Sequence, residues 1–154
     1  MIEVRQAGLQ DLEVLVPLFD AYRRFYGASP DQEGARSFLR DRLNGGDSML
    51  LLAMERGGAA GFVQLYPMFS SVLMQRVLIL NDLFVRPEAR RGGTGGALVV
   101  AAEQFARRSG VTRMRLSTQV TNIPAQSLYE RLGWEADREF RSYNRTLAVM
   151  EGTN

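Results

Sequence analysis

The sequence predicts an α/β fold, more narrowly an α+β mixed sheet with helices on both faces. Three observations lead there. Segments of strand and helix periodicity alternate along the chain instead of grouping by type. An apolar run over residues 76–85 passes through a turn and a glycine-rich loop straight into a helical pattern. A hydrophobic content of 45% over 154 residues suffices for a full core, and no linker, repeat or low-complexity tract divides the chain, so residues 1–154 read as one domain.

Each element has a local reason. Residues 2–6 alternate as a short strand. Residues 9–26 form a helix, because Leu12, Leu15, Val16, Phe19 and Tyr22 recur at spacings of three and four. Residues 30–43 form a second helix with Ser29 as N-cap and Ala35, Phe38, Leu39 and Leu43 as its apolar face. Asn44-Gly45-Gly46 stops it. Residues 49–55 are a strand, Arg56-Gly57-Gly58 a turn, and residues 60–68 the return strand. Residues 69–75 read as the end of a hairpin or a loop. The strand of residues 76–85 and the helix opened by the glycine loop follow. Residues 113–118 are a strand, residues 122–132 a short helix stopped by Gly133, and residues 134–136 and 139–149 a closing antiparallel pair. The expected order is β-α-α-β-β-β-α-β-α-β-β.

Composition removes several chemistries. Cysteine and histidine are both absent. That excludes disulfides, thiolate or histidine metal sites, a cysteine nucleophile and a Ser-His triad. Acid–base work falls to carboxylates, tyrosine, backbone or water, and no metal is expected. The apolar runs are too short to cross a bilayer, no leader peptide is expected at the start, and a cytoplasmic location follows. The net charge is +2, with every basic residue an arginine. No basic run with interleaved aromatics marks a nucleic-acid partner.

The most informative segment is Val85-Arg86-Pro87-Glu88-Ala89-Arg90-Arg91-Gly92-Gly93-Thr94-Gly95-Gly96-Ala97-Leu98. A strand, a glycine loop and a helix start together make an anion site, since backbone N–H groups and the helix end both favour negative charge. A P-loop needs Gly-Lys-Ser/Thr, and the chain has no lysine. A dinucleotide fingerprint needs a third glycine where Leu98 stands. A plain helix-capping turn is the simplest alternative. The remaining pattern is R/Q-x-x-G-x-G/A, read as Arg90-Arg91-Gly92-Gly93-Thr94-Gly95, preceded by V-x-P-x-x-R. A second motif, Asn122-Ile123-Pro124-Ala125-Gln126-Ser127-Leu128-Tyr129-Glu130-Arg131-Leu132-Gly133-Trp134, fits N-x-x-A-x-x-L/F-Y-x-x-x-G-F/W.

With both motifs in order, the chain resembles the GNAT superfamily of acyl-CoA-dependent N-acyltransferases, and weakly its polyamine and histone-type members. The resemblance implies a GNAT fold whose central strands splay to hold acyl-CoA. It implies acetyl-CoA as cosubstrate, its pyrophosphate cradled by Arg90, Arg91, Gly92, Gly93, Thr94, Gly95 and Gly96. Its pantetheine arm would lie along the backbone of Leu83, Phe84 and Val85, with Asn122 adding a contact.

Acyl transfer to an amine needs a neutral amine, a stabilised oxyanion and a protonated leaving thiol. A lysine-like amine is about 0.1% neutral near pH 7.4, so freeing it costs roughly 4 kcal/mol. The resemblance makes Tyr129 the general acid; otherwise it is a core tyrosine. Asp82 and Asn81 are polar residues in an apolar strand and need partners. Asn81 stands where the family often has a glutamate base, so either Asp82 is the base or water relays the proton. Tyr22 and Tyr26 flank a cationic amine, or else pack in the core. Asn81 joins them as a substrate contact, and Asp20, Asp31 and Glu33 draw the amine in. The partner is an amine-bearing small molecule or protein amine, with a homodimer through the C-terminal strands also expected. A non-catalytic CoA-binding module is the competing reading.

Overall fold

The computed structural model describes residues 1–152; residues 153 and 154, the end of the expected domain, lie outside them. Five strands form one sheet in the order β1-β2-β3-β4-β5. These are β1 (Glu3–Gln6), β2 (Met49–Glu55), β3 (Gly58–Ser70), β4 (Gln75–Val85) and β5 (Met114–Leu116). The first four pair antiparallel, whereas β5 runs parallel to β4 through Leu78↔Met114, Ile79↔Arg115 and Leu80↔Leu116. Helices α1 (Leu12–Phe25), α2 (Gln32–Gly45), α3 (Thr94–Arg108) and α4 (Ile123–Arg131) complete the order.

Both faces of the sheet are covered, which is why the strands read as continuous apolar runs. One core joins Leu15, Phe19 and Leu39 of α1 and α2 to Leu52, Phe62 and Phe84. The other joins Leu98, Val99 and Ala102 of α3 to Leu51, Val63 and Leu80, with Tyr129 of α4 at its edge. Gly61 has a steric reason, since a Cβ there would collide with the Phe84 carbonyl. No helix among the described residues is long and apolar enough to cross a membrane.

The mixed α/β class and helices on both faces agree with the sequence reading. Three local expectations are corrected. The first helix is preceded by a separate 3-10 turn, Leu9–Asp11. The second begins at Gln32 instead of Pro30, and its N-cap is Asp31, whose side chain accepts from the Gly34 N–H at 2.8 Å. A carboxylate facing that free N–H displaces Ser29 as the cap. Residues 69–75 are the hairpin end that the sequence suggests: β3 runs to Ser70, residues 71–74 turn, and β4 starts at Gln75. Finally, the closing pair at 134–136 and 139–149 is absent, and beyond Trp134 no described residue lies in a helix or strand. A strand needs a ladder partner, and this segment meets none among the described residues.

One irregularity in β4 matters for the site. The β3–β4 register passes from Gln64↔Asp82 to Leu65↔Leu80, leaving Asn81 without a partner. This bulge reverses the parity of the strand. Leu78 and Leu80 face α3, whereas Asp82 and Phe84 turn towards α1.

Candidate active site

Asp82 is buried at 6% exposure and sits at the centre of a polar network within an apolar layer. Its Oδ1 accepts from the Tyr22 hydroxyl at 2.7 Å and from Asn81 Nδ2 at 3.1 Å. Its Oδ2 accepts from Gln64 Nε2 at 2.9 Å, and Gln64 Oε1 in turn accepts from the Ser48 hydroxyl at 3.0 Å. A buried carboxylate is tolerable because donors surround it. Asn81 is exposed at the bulge, and its amide serves Asp82. The alternation argument would have put Asn81 and Asp82 on opposite faces, but the bulge lets both side chains meet.

Tyr22 is held on three sides by aromatic rings. Phe62 and Phe84 meet it edge-on at 5.8 and 6.2 Å, and Tyr26 at 5.1 Å. Burial above all, then the charge of Asp82 and the bond to it, push the Tyr22 hydroxyl far above its ordinary range. It therefore stays a donor to Asp82 and keeps lone pairs free to accept another hydrogen bond. Tyr66 lies in the same field and is pushed up to about 12, first by burial and then by Asp82.

Tyr129 sits on α4, 8% exposed, with its ring 6.1 Å from that of Trp134. Burial first and Tyr26 second raise it to about 12. Tyr26 also acts on Tyr22, on which its ring packs. Of the expected site residues, Tyr22, Asn81 and Asp82 are joined by hydrogen bonds and Tyr26 packs beside them in one cluster, whereas Tyr129 packs in the core on the α3 side of the sheet. The acids on the first two helices do not join it. Asp20 is buried, accepts the Asp31 N–H at 2.8 Å and lies near Arg23 and Arg24; Asp31 caps α2; Glu33 pairs with Arg36. All three hold helices in place instead of joining that cluster.

On the far side of the bulge β4 loses a neighbour. Pairing with β5 ends at Leu80, so Leu83, Phe84 and Val85 keep only β3. The Arg86 N–H donates to the Ala60 carbonyl on β3 at 2.8 Å. A trans peptide therefore aims the Val85 carbonyl the opposite way, into the gap. There the Arg90 Nε donates to it at 2.9 Å, with the guanidinium 5.5 Å from the Phe84 ring and 5.7 Å from that of Phe25. Arg90 is thus turned towards the strand end. Phe25, Phe84, Arg86 and Arg90 line a cleft of about 550 Å³ against α1, and the Arg86 Nε is buried there without a partner among the described residues.

The glycine loop follows. Arg91 adopts a left-handed φ of 68° and Gly93 one of 89°. Gly93 is the N-cap of α3 and offers no side chain to its first turn. The first intrahelical acceptor is used by Ala97, so the N–H groups of Thr94, Gly95 and Gly96 point out of the helix end. Thr94 contributes only backbone here, because its buried hydroxyl bonds Glu55. Gly95 lies against Leu128 of α4, where a Cβ would come within 3.3 Å. Gly92 is exposed at the loop crest. Asn122 caps α4 by accepting the Ala125 N–H at 3.2 Å.

Gln64, Ser48 and Arg86 were not anticipated. Gln64 had a signal of the same kind as Asp82, a lone polar residue inside an apolar run. Ser48 and Arg86 had none, because only the fold brings them to Gln64 and to α1.

The fold and sequence have known relatives. The profile described as "Acetyltransferase (GNAT) family" matches residues 15–134. A Bacillus subtilis protein described as an uncharacterized N-acetyltransferase is 46% identical over 142 residues, 92% of this chain and 95% of its own length. A crystal structure of a probable acetyltransferase superposes with a TM-score of 0.89 at 42% identity, covering 96% of this chain and 99% of that one. An aminoglycoside N(6′)-acetyltransferase of Klebsiella aerogenes is 31% identical over 75% of this chain and 78% of its own. The chain belongs to the GNAT acetyltransferase family, whose members use acetyl-CoA, and is an acyl-CoA-dependent N-acyltransferase.

Proposed function

We propose that this protein, acting as a single cytoplasmic domain, moves an acetyl group from acetyl-CoA to a primary amine by direct attack within a ternary complex. The observation that carries the reading is the Tyr22–Asp82 pair, buried where β4 loses its neighbour. The outward N–H groups of Thr94, Gly95 and Gly96 fit a pyrophosphate, and the Gly93 position is open to it. Arg90 and Arg91 add charge, the exposed edge at Leu83, Phe84 and Val85 receives the pantetheine arm through the backbone of Leu83 and Val85, and Asn122 caps α4 beside it.

The proton balance assigns the roles. An ammonium loses one proton before attack and a second after it; the leaving thiolate gains one. Tyr22 accepts the first and passes its own to Asp82, so Asp82 is the base at one remove, with Asn81 and Gln64 orienting it. Tyr129 keeps its proton at neutral pH because burial raises it to about 12. Against a thiol near 8.5, full transfer is uphill by roughly 5 kcal/mol. Tyr129 therefore stabilises the departing sulfur by donating a hydrogen bond, and the amine's second proton completes the thiol. Tyr26 closes the cleft. The aminoglycoside-modifying relative supports an amine acceptor. Arg24, Arg86 and Arg90 on the adjoining wall disfavour a polycation and favour an acceptor of low positive charge.

Thiol release from acetyl-CoA with a panel of amines tests this. Tyr129→Phe is expected to lower kcat at least a hundredfold with unchanged acetyl-CoA affinity. Asp82→Asn is expected to lower kcat by a similar factor, also with unchanged acetyl-CoA affinity. Unchanged turnover in either variant removes that residue from its role; no release with any amine rejects the reading.

A further inference from the structure

The helix that follows the glycine loop begins without a local clasp. Gly93, the N-cap of α3, has no side chain to close the first turn, and no acidic residue stands within that turn. At most helix starts a serine, threonine or aspartate holds the first turn by accepting its N–H groups. Glycine leaves those groups free for a ligand. It also leaves a helix end, which frays readily, to be held from elsewhere.

The hold comes from the sheet. Thr94, the first residue of α3, is 1% exposed, and its hydroxyl donates to Glu55 Oε1. Glu55 is half-buried at the last position of β2, where the ladder pairs it with Gly58 across the β2–β3 turn. Its backbone is thereby fixed, and its side chain alone bridges to α3. The other acceptor near the Thr94 hydroxyl is the Ala89 carbonyl at 3.5 Å, in the turn that leads into the same loop. A hydroxyl has one proton to give, and a carboxylate takes it more strongly than a carbonyl. At its other end the loop is braced by backbone, through the Arg86 N–H and the Ala60 carbonyl of β3 at 2.8 Å. Residues 87–93 are thus slung between β3 and β2.

We propose that Glu55 is a positioning residue for the cofactor. Through the Thr94 hydroxyl it holds the N–H groups of Thr94, Gly95 and Gly96 in the direction a pyrophosphate needs, and it touches neither cofactor nor amine. The inference rests on the reading of the loop as the pyrophosphate cradle. A carboxylate beside a helix end that receives phosphate repels the ligand, so its presence calls for an offsetting task, and preorganisation is one. Because the bond uses a hydroxyl instead of a main-chain N–H, all three donors stay available. Without Glu55 the hydroxyl falls back on the Ala89 carbonyl within its own loop, and the first turn of α3 loses its tie to β2.

Glu55→Ala, Glu55→Gln, Thr94→Val and the Glu55→Ala/Thr94→Val pair test this, with acetyl-CoA affinity read by calorimetry and KM and kcat by thiol release. Glu55→Ala is expected to raise both Kd and KM for acetyl-CoA about tenfold with kcat unchanged. Glu55→Gln is expected to restore most of that loss, because its amide oxygen also accepts from the hydroxyl. Thr94→Val is expected to weaken binding by a similar factor, and the double variant by no more than either single change. Four results would overturn the proposal: parent-like affinity in Glu55→Ala, even with a lowered melting temperature; a glutamine variant as weak as the alanine one; losses that multiply in the double variant; or a kcat that falls while KM stays. Absence of acetyl-CoA binding by the unmodified protein would reject the reading of the loop itself. Equal binding by the unmodified protein and Glu55→Ala would reject only the role of Glu55.

Discussion

The two halves of β4 look alike in sequence and live in opposite surroundings. Between Leu78 and Leu80 the strand has β3 on one edge and β5 on the other, and its side chains fill the core beneath α3. Between Leu83 and Val85 it keeps β3 but has nothing paired on the other edge, and the Val85 carbonyl is met only by Arg90. The switch is the single unpaired residue Asn81, which turns Asp82 towards Tyr22. A fully paired strand is committed to stability, because its ladder groups have no other use. A half-paired strand keeps backbone donors and acceptors for a ligand. The bulge therefore lets one element serve as core on one side and as site on the other.

The comparison breaks most visibly at the open half. Gly93→Asp is expected to lower acetyl-CoA affinity more than a thousandfold, about 4 kcal/mol, while the protein stays folded. Position 93 is the N-cap of α3 with open space around it. An aspartate there puts negative charge where the phosphate would sit and strains a backbone held at a φ of 89°, so folding stability is read alongside affinity. Calorimetry showing normal affinity would sink the assignment of the loop. The closed half should respond in the opposite currency. Leu80 is 2% exposed, so Leu80→Ala is expected to cost about 3 kcal/mol of folding stability, read by denaturant titration, with the affinity of the folded protein for acetyl-CoA unchanged. A large loss of affinity at equal stability would show that the two halves are not separable.

This division was only partly legible in the sequence. The open half announced itself through the glycine loop, because few residues other than glycine accept the left-handed φ at position 93. The pairing of Asp82 with Tyr22 was not legible, since strand alternation assumes an unbroken ladder and a bulge leaves no local mark in Leu80-Asn81-Asp82. Asp20, Asp31 and Glu33 misled for a related reason. Acidic residues near an aromatic helix read as bait for a cation, but their nearest partners are helix ends and arginines of the same layer. The C-terminal segment read as a strand pair from its periodicity, yet no described residue beyond Trp134 lies in a helix or strand. Periodicity identifies a face to be covered and never says what covers it.

The smallest expected effect supplies the control for both halves. Arg5 on β1 grips Asp11 with two contacts, at 2.7 and 2.9 Å, and the Gly8 N–H adds a third at 2.9 Å. The bonded Arg5 guanidinium foremost, helped by that N–H, holds the Asp11 carboxyl below its ordinary 3.8. A carboxyl that is more acidic in the native state than in the unfolded chain stabilises the fold at pH values above 3.8. That stability drains away as the pH falls through the lowered native value. Arg5 is partly exposed, at 41%, so solvent screening limits the pair to about 1 kcal/mol. Asp11→Asn is therefore expected to lose about 1 kcal/mol at pH 7, and its stability curve should converge with that of the parent protein in acid. Because β1 is the edge strand farthest from β4 in the sheet, acetyl-CoA affinity should not move. A stability difference that persists undiminished in acid would mean that the aspartate acts through shape and hydrogen bonding rather than charge.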